Sequence, residues 1–169
     1  MNYHNITKDD MNNGDGLRVV LWVAGCEHHC PECQNQQTWD YNSGILFDEK
    51  ALLELRKELN KDYVSGITLS GGDPLAPKNR DMIFSIIQWV RGSFPDKTIW
   101  LYTGYKYEQI CFEGNYVACC ILKNIDVLVD GRYMKDKIDI NLKWRGSSNQ
   151  RVLDMKKTLE TGKEVLWCD

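Results

Sequence analysis

A chain of 169 residues and 19.6 kDa can bury one core without disulfide staples, and it is read as a single domain over residues 1–169. Apolar residues at 43% and charged residues at 27% exclude a disordered or fibrous chain. A formal charge of −3 with no block of Lys and Arg gives no pull toward a polyanionic backbone, which argues against nucleic acid as a direct partner.

No apolar run approaches the length of a membrane span, and the first residues, Met1-Asn2-Tyr3-His4-Asn5, lack the charged-then-apolar pattern of an export signal. A cytoplasmic protein without membrane contact is therefore expected. Seven cysteines, an odd number at uneven spacing, then point to reduced thiols or metal ligands rather than a disulfide framework.

In chain order, residues 16–24 are short, β-branched and mostly apolar, which predicts a buried strand. Cys26, Cys30 and Cys33 follow directly as a C-x₃-C-x₂-C run. Residues 48–59 open with a capping Asp48 and carry Leu at helical intervals, predicting a helix. Residues 64–70 predict a strand that runs into Gly71-Gly72-Asp73-Pro74. Residues 79–91 predict a helix with Met82, Ile83, Ile86, Ile87 and Val90 on one face. Residues 97–103 predict a strand, a short helix is expected near Tyr107, and residues 125–130 predict a strand ending in Asp130-Gly131. Residues 138–144 alternate like an edge strand, and residues 165–167 suggest a short terminal one. Between them, residues 145–151 have the composition of a solvated turn.

Alternating strands and helices predict an α/β fold with a mainly parallel sheet and helical crossovers. Ligands in such sheets gather beyond the strand C-termini, where the cysteine loop, the Gly-Gly-Asp-Pro turn and Asp130-Gly131 all fall.

Three thiolates are one short of the four that a 4Fe-4S cluster takes, so such a cluster would keep one iron open to a small molecule. The alternative is structural zinc completed by His28 or His29, since Cys₃His is a known tetrahedral set. Zinc sites favour two separated ligand pairs, so the spacing favours the cluster. Gly71-Gly72 lets the chain turn sharply and bring bare backbone against a ligand, and Pro74 holds the turn in one shape. Cys111, Cys119, Cys120 and Cys168 have no metal-like spacing and read as core or free thiols; Cys119 and Cys120 would face opposite ways on a strand.

Together the cysteine run and the Gly-Gly-Asp turn resemble the radical S-adenosylmethionine superfamily, in which Glu is commoner than Asp at position 73. The chain is more closely similar to the activases of anaerobic (class III) ribonucleotide reductase. That likeness rests on Gly14-x-Gly16-Leu17-Arg18, Thr38-Trp39-Asp40-Tyr41-Asn42-Ser43-Gly44, Tyr102-Thr103-Gly104-Tyr105, Asp130-Gly131-Arg132-Tyr133 and Trp144-Arg145-Gly146-Ser147-Ser148-Asn149-Gln150-Arg151.

The resemblance implies a shortened, open partial (β/α) barrel with a 4Fe-4S cluster on Cys26, Cys30 and Cys33. It implies S-adenosylmethionine bound through its amine and carboxylate to the fourth iron, and cleaved by one electron to methionine and a 5′-deoxyadenosyl radical. That radical would take a hydrogen atom from a glycine of the large reductase subunit. Ser70, Gly71, Gly72 and Asp73 match the turn that holds the methionyl amine. Thr103 and Asp130 become candidates for a monovalent-cation site, although Tyr102 stands where other activases have an aspartate. Glu32 replaces an aromatic that commonly touches adenine, which leaves Trp39 as the candidate cover. Arg145 is a further cofactor candidate, and His28 and His29 are expected to face solvent. Electrons would come from a separate flavodoxin or ferredoxin, and a homodimer is compatible with the family.

Overall fold

In the computed structural model, which describes residues 1–168, the sheet grows outward from the apolar run that follows Gly16. That run is β2 (Leu17–Val23), the second strand after β1 (Asn2–Asp10). The chain continues through the two-residue β3 (Ile45–Leu46), α1 (Glu49–Leu59), β4 (Val64–Gly71), α2 (Arg80–Ser93) and β5 (Thr98–Tyr102). It ends with α3 (Tyr107–Glu113), α4 (Tyr116–Lys123), β6 (Val127–Asp130), β7 (Arg151–Asp154) and α5 (Met155–Thr161). The strand order is β3-β1-β2-β4-β5-β6-β7, and the sheet does not close. Strands β2, β4, β5 and β6 pair in parallel, while β1, β3 and β7 add antiparallel edges. The expected parallel core is present inside a mixed seven-stranded sheet.

Alternation along the strands sorts residues onto two faces. Val19, Leu21, Ile67, Leu69, Ile99 and Leu101 pack with Leu55, Leu59, Ile83, Ile87, Val90 and Ile121 of the helices in the main core. Trp100, Val127, Val129 and Val152 form a smaller cluster with Tyr102 and Trp144. Arg18 is wholly buried beside Trp100, its guanidinium carbon 5.3 Å from the ring centroid. Its donors are all satisfied by neutral oxygens: Thr68 Oγ1, Asp15 O, Thr98 Oγ1, Ile67 O and Thr98 O, at 2.7–3.1 Å. Burial pulls the guanidinium down to about 10, with no carboxylate bonded to it to offset that.

The structure departs from the sequence-based expectations at several places. Residues 2–10 form β1 although their sequence carries no strand pattern, because an outer strand needs apolar residues only where it meets the core, here Tyr3 and Ile6. Residues 138–144 form no strand and make only the single bridge Ile138–Ser147. Cys119 and Cys120 lie on α4, whose start is capped by Asn115 accepting from Ala118 N–H at 3.0 Å. Residues 145–151 are not a solvated turn: Ser147 is fully buried, Gln150 Oε1 accepts from Gly146 and Ser147 N–H, and Arg151 begins β7. The expected strand at 165–167 is reduced to the bridge Leu153–Leu166. Among the described residues, no helix is long and apolar enough to cross a membrane.

Candidate metal centre and its cavity

Two turns are zipped together at the C-terminal ends of β2 and β4. Gly72 N–H donates to Val23 O and Asp73 N–H to Gly25 O, both at 2.8 Å. Asn79 Nδ2 binds Ala24 O at 2.9 Å and Asp73 O at 3.0 Å, tying both turns to the start of α2. A Cβ on Gly72 would stand 2.5 Å from Gly25 O, so only glycine permits this approach. On its other side the cysteine loop is held by Gly25 N–H to Thr38 O at 2.7 Å and Cys26 N–H to Trp39 O at 3.0 Å.

Each cysteine of the loop is faced by backbone N–H. Burial pushes the Cys26 thiol up to about 11, while the amides of His28 and His29 pull the other way. Burial also raises Cys30, beside Cys33, with the Tyr133 amide opposing. Asn35 N–H donates to Cys33 Sγ at 3.4 Å. Amide donors aimed at sulfur stabilise thiolates bound to iron, so this donor set fits a cluster. It fits zinc less well. Among the described residues no three His, Cys, Asp or Glu side chains converge as ligands of a single ion.

Asp73 is 1% exposed and saturated. Its carboxylate accepts from Leu75 N–H at 2.7 Å, Thr103 Oγ1 at 3.0 Å, Gly104 N–H at 2.9 Å and His28 Nε2 at 2.7 Å. Thr103 therefore joins Asp73 directly, at the end of β5. The expectation that His28 faces solvent is corrected: its side chain is 5% exposed, because a carboxylate distant in sequence captures it. His29 is exposed and meets Trp39 edge-on, ring centroids 4.9 Å apart.

Asp130, fully buried at the end of β6, accepts from Arg151 Nε at 3.0 Å and from Tyr107 N–H at 2.7 Å. Arg151 also forks onto Glu108 at 2.7 and 2.8 Å, an ion-pair network that the sequence did not disclose. The Arg151 hydrogen bonds hold the Glu108 carboxyl down to about 2. A depressed carboxylate stabilises the fold above its unfolded pKa and stops doing so as pH falls toward its folded one. Glu108→Gln is therefore expected to destabilise the protein slightly at pH 7, the pair being half-exposed. The difference should shrink from about pH 4.5 downward, as followed by urea unfolding of both proteins across pH.

A cavity of about 530 Å³ opens on the sheet face away from the main core, with Cys33, Trp22, Ser70, Tyr102, Tyr133 and Arg145 in its wall. Arg145 Nε and Asn149 Oδ1 are buried there or beside it without a hydrogen-bond partner. The structure thus brings Cys33, Ser70 and Arg145 to one cavity, with Gly71, Gly72, Asp73 and Thr103 in the adjoining turns; Asp130 is engaged by Arg151 and Trp39 by His29.

A family model described as a 4Fe-4S single cluster domain matches residues 12–153. The anaerobic ribonucleoside-triphosphate reductase-activating protein of Enterobacteria phage T4 is 47% identical over 152 residues, covering 90% of this chain and 93% of that protein. The proteins of the same name from Escherichia coli K12 and Haemophilus influenzae are 43% and 40% identical, each covering 90% of this chain and 97% of their own length. The chain belongs to the family of anaerobic ribonucleoside-triphosphate reductase-activating proteins, and it carries that family's 4Fe-4S cluster domain.

Proposed function

We propose that this chain activates an anaerobic ribonucleoside-triphosphate reductase by placing a glycyl radical on its large subunit, using S-adenosylmethionine and a 4Fe-4S cluster on Cys26, Cys30 and Cys33. The observation that carries this reading is the loop itself: three cysteines, each faced by backbone N–H, pinned to a Gly-Gly-Asp turn beside a cavity large enough for a small cofactor. The chemistry supplied there is one-electron cleavage of the sulfonium to methionine and a 5′-deoxyadenosyl radical, which takes a hydrogen atom from a glycine of the target.

The chain's residues bind and orient. The backbone of Ser70, Gly71 and Gly72 would hold the methionyl amine, with Asp73 supplying negative charge from behind the turn. Arg145, in the cavity wall, is assigned to the cofactor carboxylate, a charge-assisted contact. Thr103 holds Asp73. Asp130 holds Arg151, so the positive charge expected there from a monovalent cation is assigned to that guanidinium. Trp39, on the segment that pins Cys26, is assigned to the adenine. The open sheet is read as a shortened radical S-adenosylmethionine barrel whose open side admits a glycine loop. A cytoplasmic site, an external flavodoxin or ferredoxin as donor, and a homodimer complete the proposal.

Electron paramagnetic resonance of an anaerobic mixture with reductase, S-adenosylmethionine and reductant is expected to show a glycyl-radical doublet. No doublet despite cofactor cleavage would transfer the activity to another glycyl-radical enzyme. A colourless zinc protein that makes no 5′-deoxyadenosine would overturn the reading altogether.

A further inference from the structure

Between Cys26 and Cys33 the exposed side chains meet loop partners, with Tyr41 Oη donating to Glu27 at 2.9 Å and Lys135 pairing with Glu32, while His28 ties the loop to the turns at the end of the sheet. Within it Cys33 N–H donates to Cys30 O at 3.1 Å, and His29 and Glu32 sit at φ of 46° and 54°, a region that side-chain-bearing residues avoid. Glu27, His29, Pro31 and Glu32 are exposed. His28 alone among the non-cysteine residues of that stretch turns inward. Its ring meets Tyr105 edge-on with centroids 4.4 Å apart, and it lies so close to Gly104 that a Cβ there would stand 2.4 Å from His28 Cδ2.

We propose that His28 is a positioning residue, which fixes the cluster-bearing loop against the turn that holds the cofactor by donating its Nε2–H to Asp73. The inference rests on the function proposed above. Asp73 is suited to be the fixed post. Its own N–H is bonded to Gly25 O, and its carboxylate is gripped by the backbone of Leu75 and Gly104 and by Thr103, which sits at the end of β5. These partners belong to the parallel core and its turns, so His28 is the arm through which the middle of the loop reaches that frame.

The pairing also accounts for an oddity in the sequence. Superfamily members commonly carry Glu where this chain has Asp73, yet every group around this carboxylate already stands at bonding distance. A further methylene would drive the carboxylate into the His28 ring or off Gly104. A histidine reaching in from the cysteine loop and a short acid in the turn are thus matched in length. Chelation of one small molecule by an iron on the loop and by the backbone of the turn requires those two parts at a fixed separation. Slack of about 1 Å in such an arrangement is enough to spoil it.

The test compares His28→Phe, which keeps the ring volume against Tyr105 but cannot donate, with His28→Gln, whose amide nitrogen reaches the place of Nε2. Two readouts are taken. In iron-free protein, hydrogen exchange at the amides of residues 26–33 is expected to speed up about tenfold or more in His28→Phe and to return to near wild type in His28→Gln. In reconstituted protein, His28→Phe is expected to hold its full iron complement while its dissociation constant for S-adenosylmethionine rises by about 10- to 100-fold, with recovery in His28→Gln. Unchanged exchange and unchanged affinity in His28→Phe would overturn the proposal, as would equal losses in both variants. If wild-type protein binds no S-adenosylmethionine, the proposed function falls, and the exchange measurement still decides whether His28 holds the loop.

Discussion

Cys30→Ala is expected to reduce cleavage of S-adenosylmethionine to the level of a blank without protein, scored as 5′-deoxyadenosine formed under strong reduction. Cys30 sits mid-run, between Cys26 and Cys33, and is faced by the amide of Tyr133. Losing it would leave two thiolates for a cluster that already lacks a fourth, and Cys111, Cys119 and Cys120 offer no substitute. Cys111 is exposed on α3, and Cys119 and Cys120 lie on α4, on segments that do not border the cavity. Cys111→Ala should therefore cleave the cofactor like wild type. Full cleavage by Cys30→Ala would mean that the iron is held elsewhere.

Gly71→Ala is expected to destabilise the fold by about 3 kcal/mol, before any effect on the cofactor is considered. Gly71 has a φ of 103°, and a Cβ there would lie 2.7 Å from both the N and the O of Val23. Those neighbours are backbone atoms of the parallel pair β2 and β4, so they cannot swing aside as a side chain would. Gly92 supplies the contrast. It lies near the end of α2 with nothing within 4 Å of an added Cβ, so Gly92→Ala should stabilise by about 0.5–1 kcal/mol. Urea unfolding of the iron-free proteins checks both signs. Equal stability of Gly71→Ala and wild type would show that the turn is looser than its geometry indicates.

Elements that bury one regular face were readable from the amino acids. The helix starting after Asp48 was placed by its cap and its leucines, and α2 by its isoleucines; the strands behind them differed from expectation by one or two residues at their ends. Elements whose stability comes from distant partners were not readable. Strand β1 carries Asn, Thr, Lys and Asp because much of it lies on the outer part of the sheet. Strand β7 is four residues long and depends on pairing with β6, and Arg151 at its start depends on Asp130 and Glu108.

The site divides in the same way. The three cysteines and the Gly-Gly-Asp turn announce themselves by local spacing. His28 gave no such sign, since two adjacent histidines in a charged loop look solvated until Asp73, Gly104 and Tyr105 are folded around one of them. Residues 145–151 look equally polar, yet their order comes from Gln150, whose side chain collects the amides of Gly146 and Ser147 and binds Gly131 O at 3.0 Å. Gly104 was the one local signal available, as a glycine directly after Thr103 that makes room for a ring.

The cavity wall has a history as well as a shape. Its cysteine side comes from early in the chain, whereas Tyr133, Trp144, Arg145 and Gln150 come from residues 133–150. A nascent chain therefore exposes three thiols long before the Tyr133 amide that faces Cys30, or the wall opposite Cys33, exists to meet them. The cavity is therefore complete only when the pairing of β7 with β6 has brought the segment before Arg151 to it.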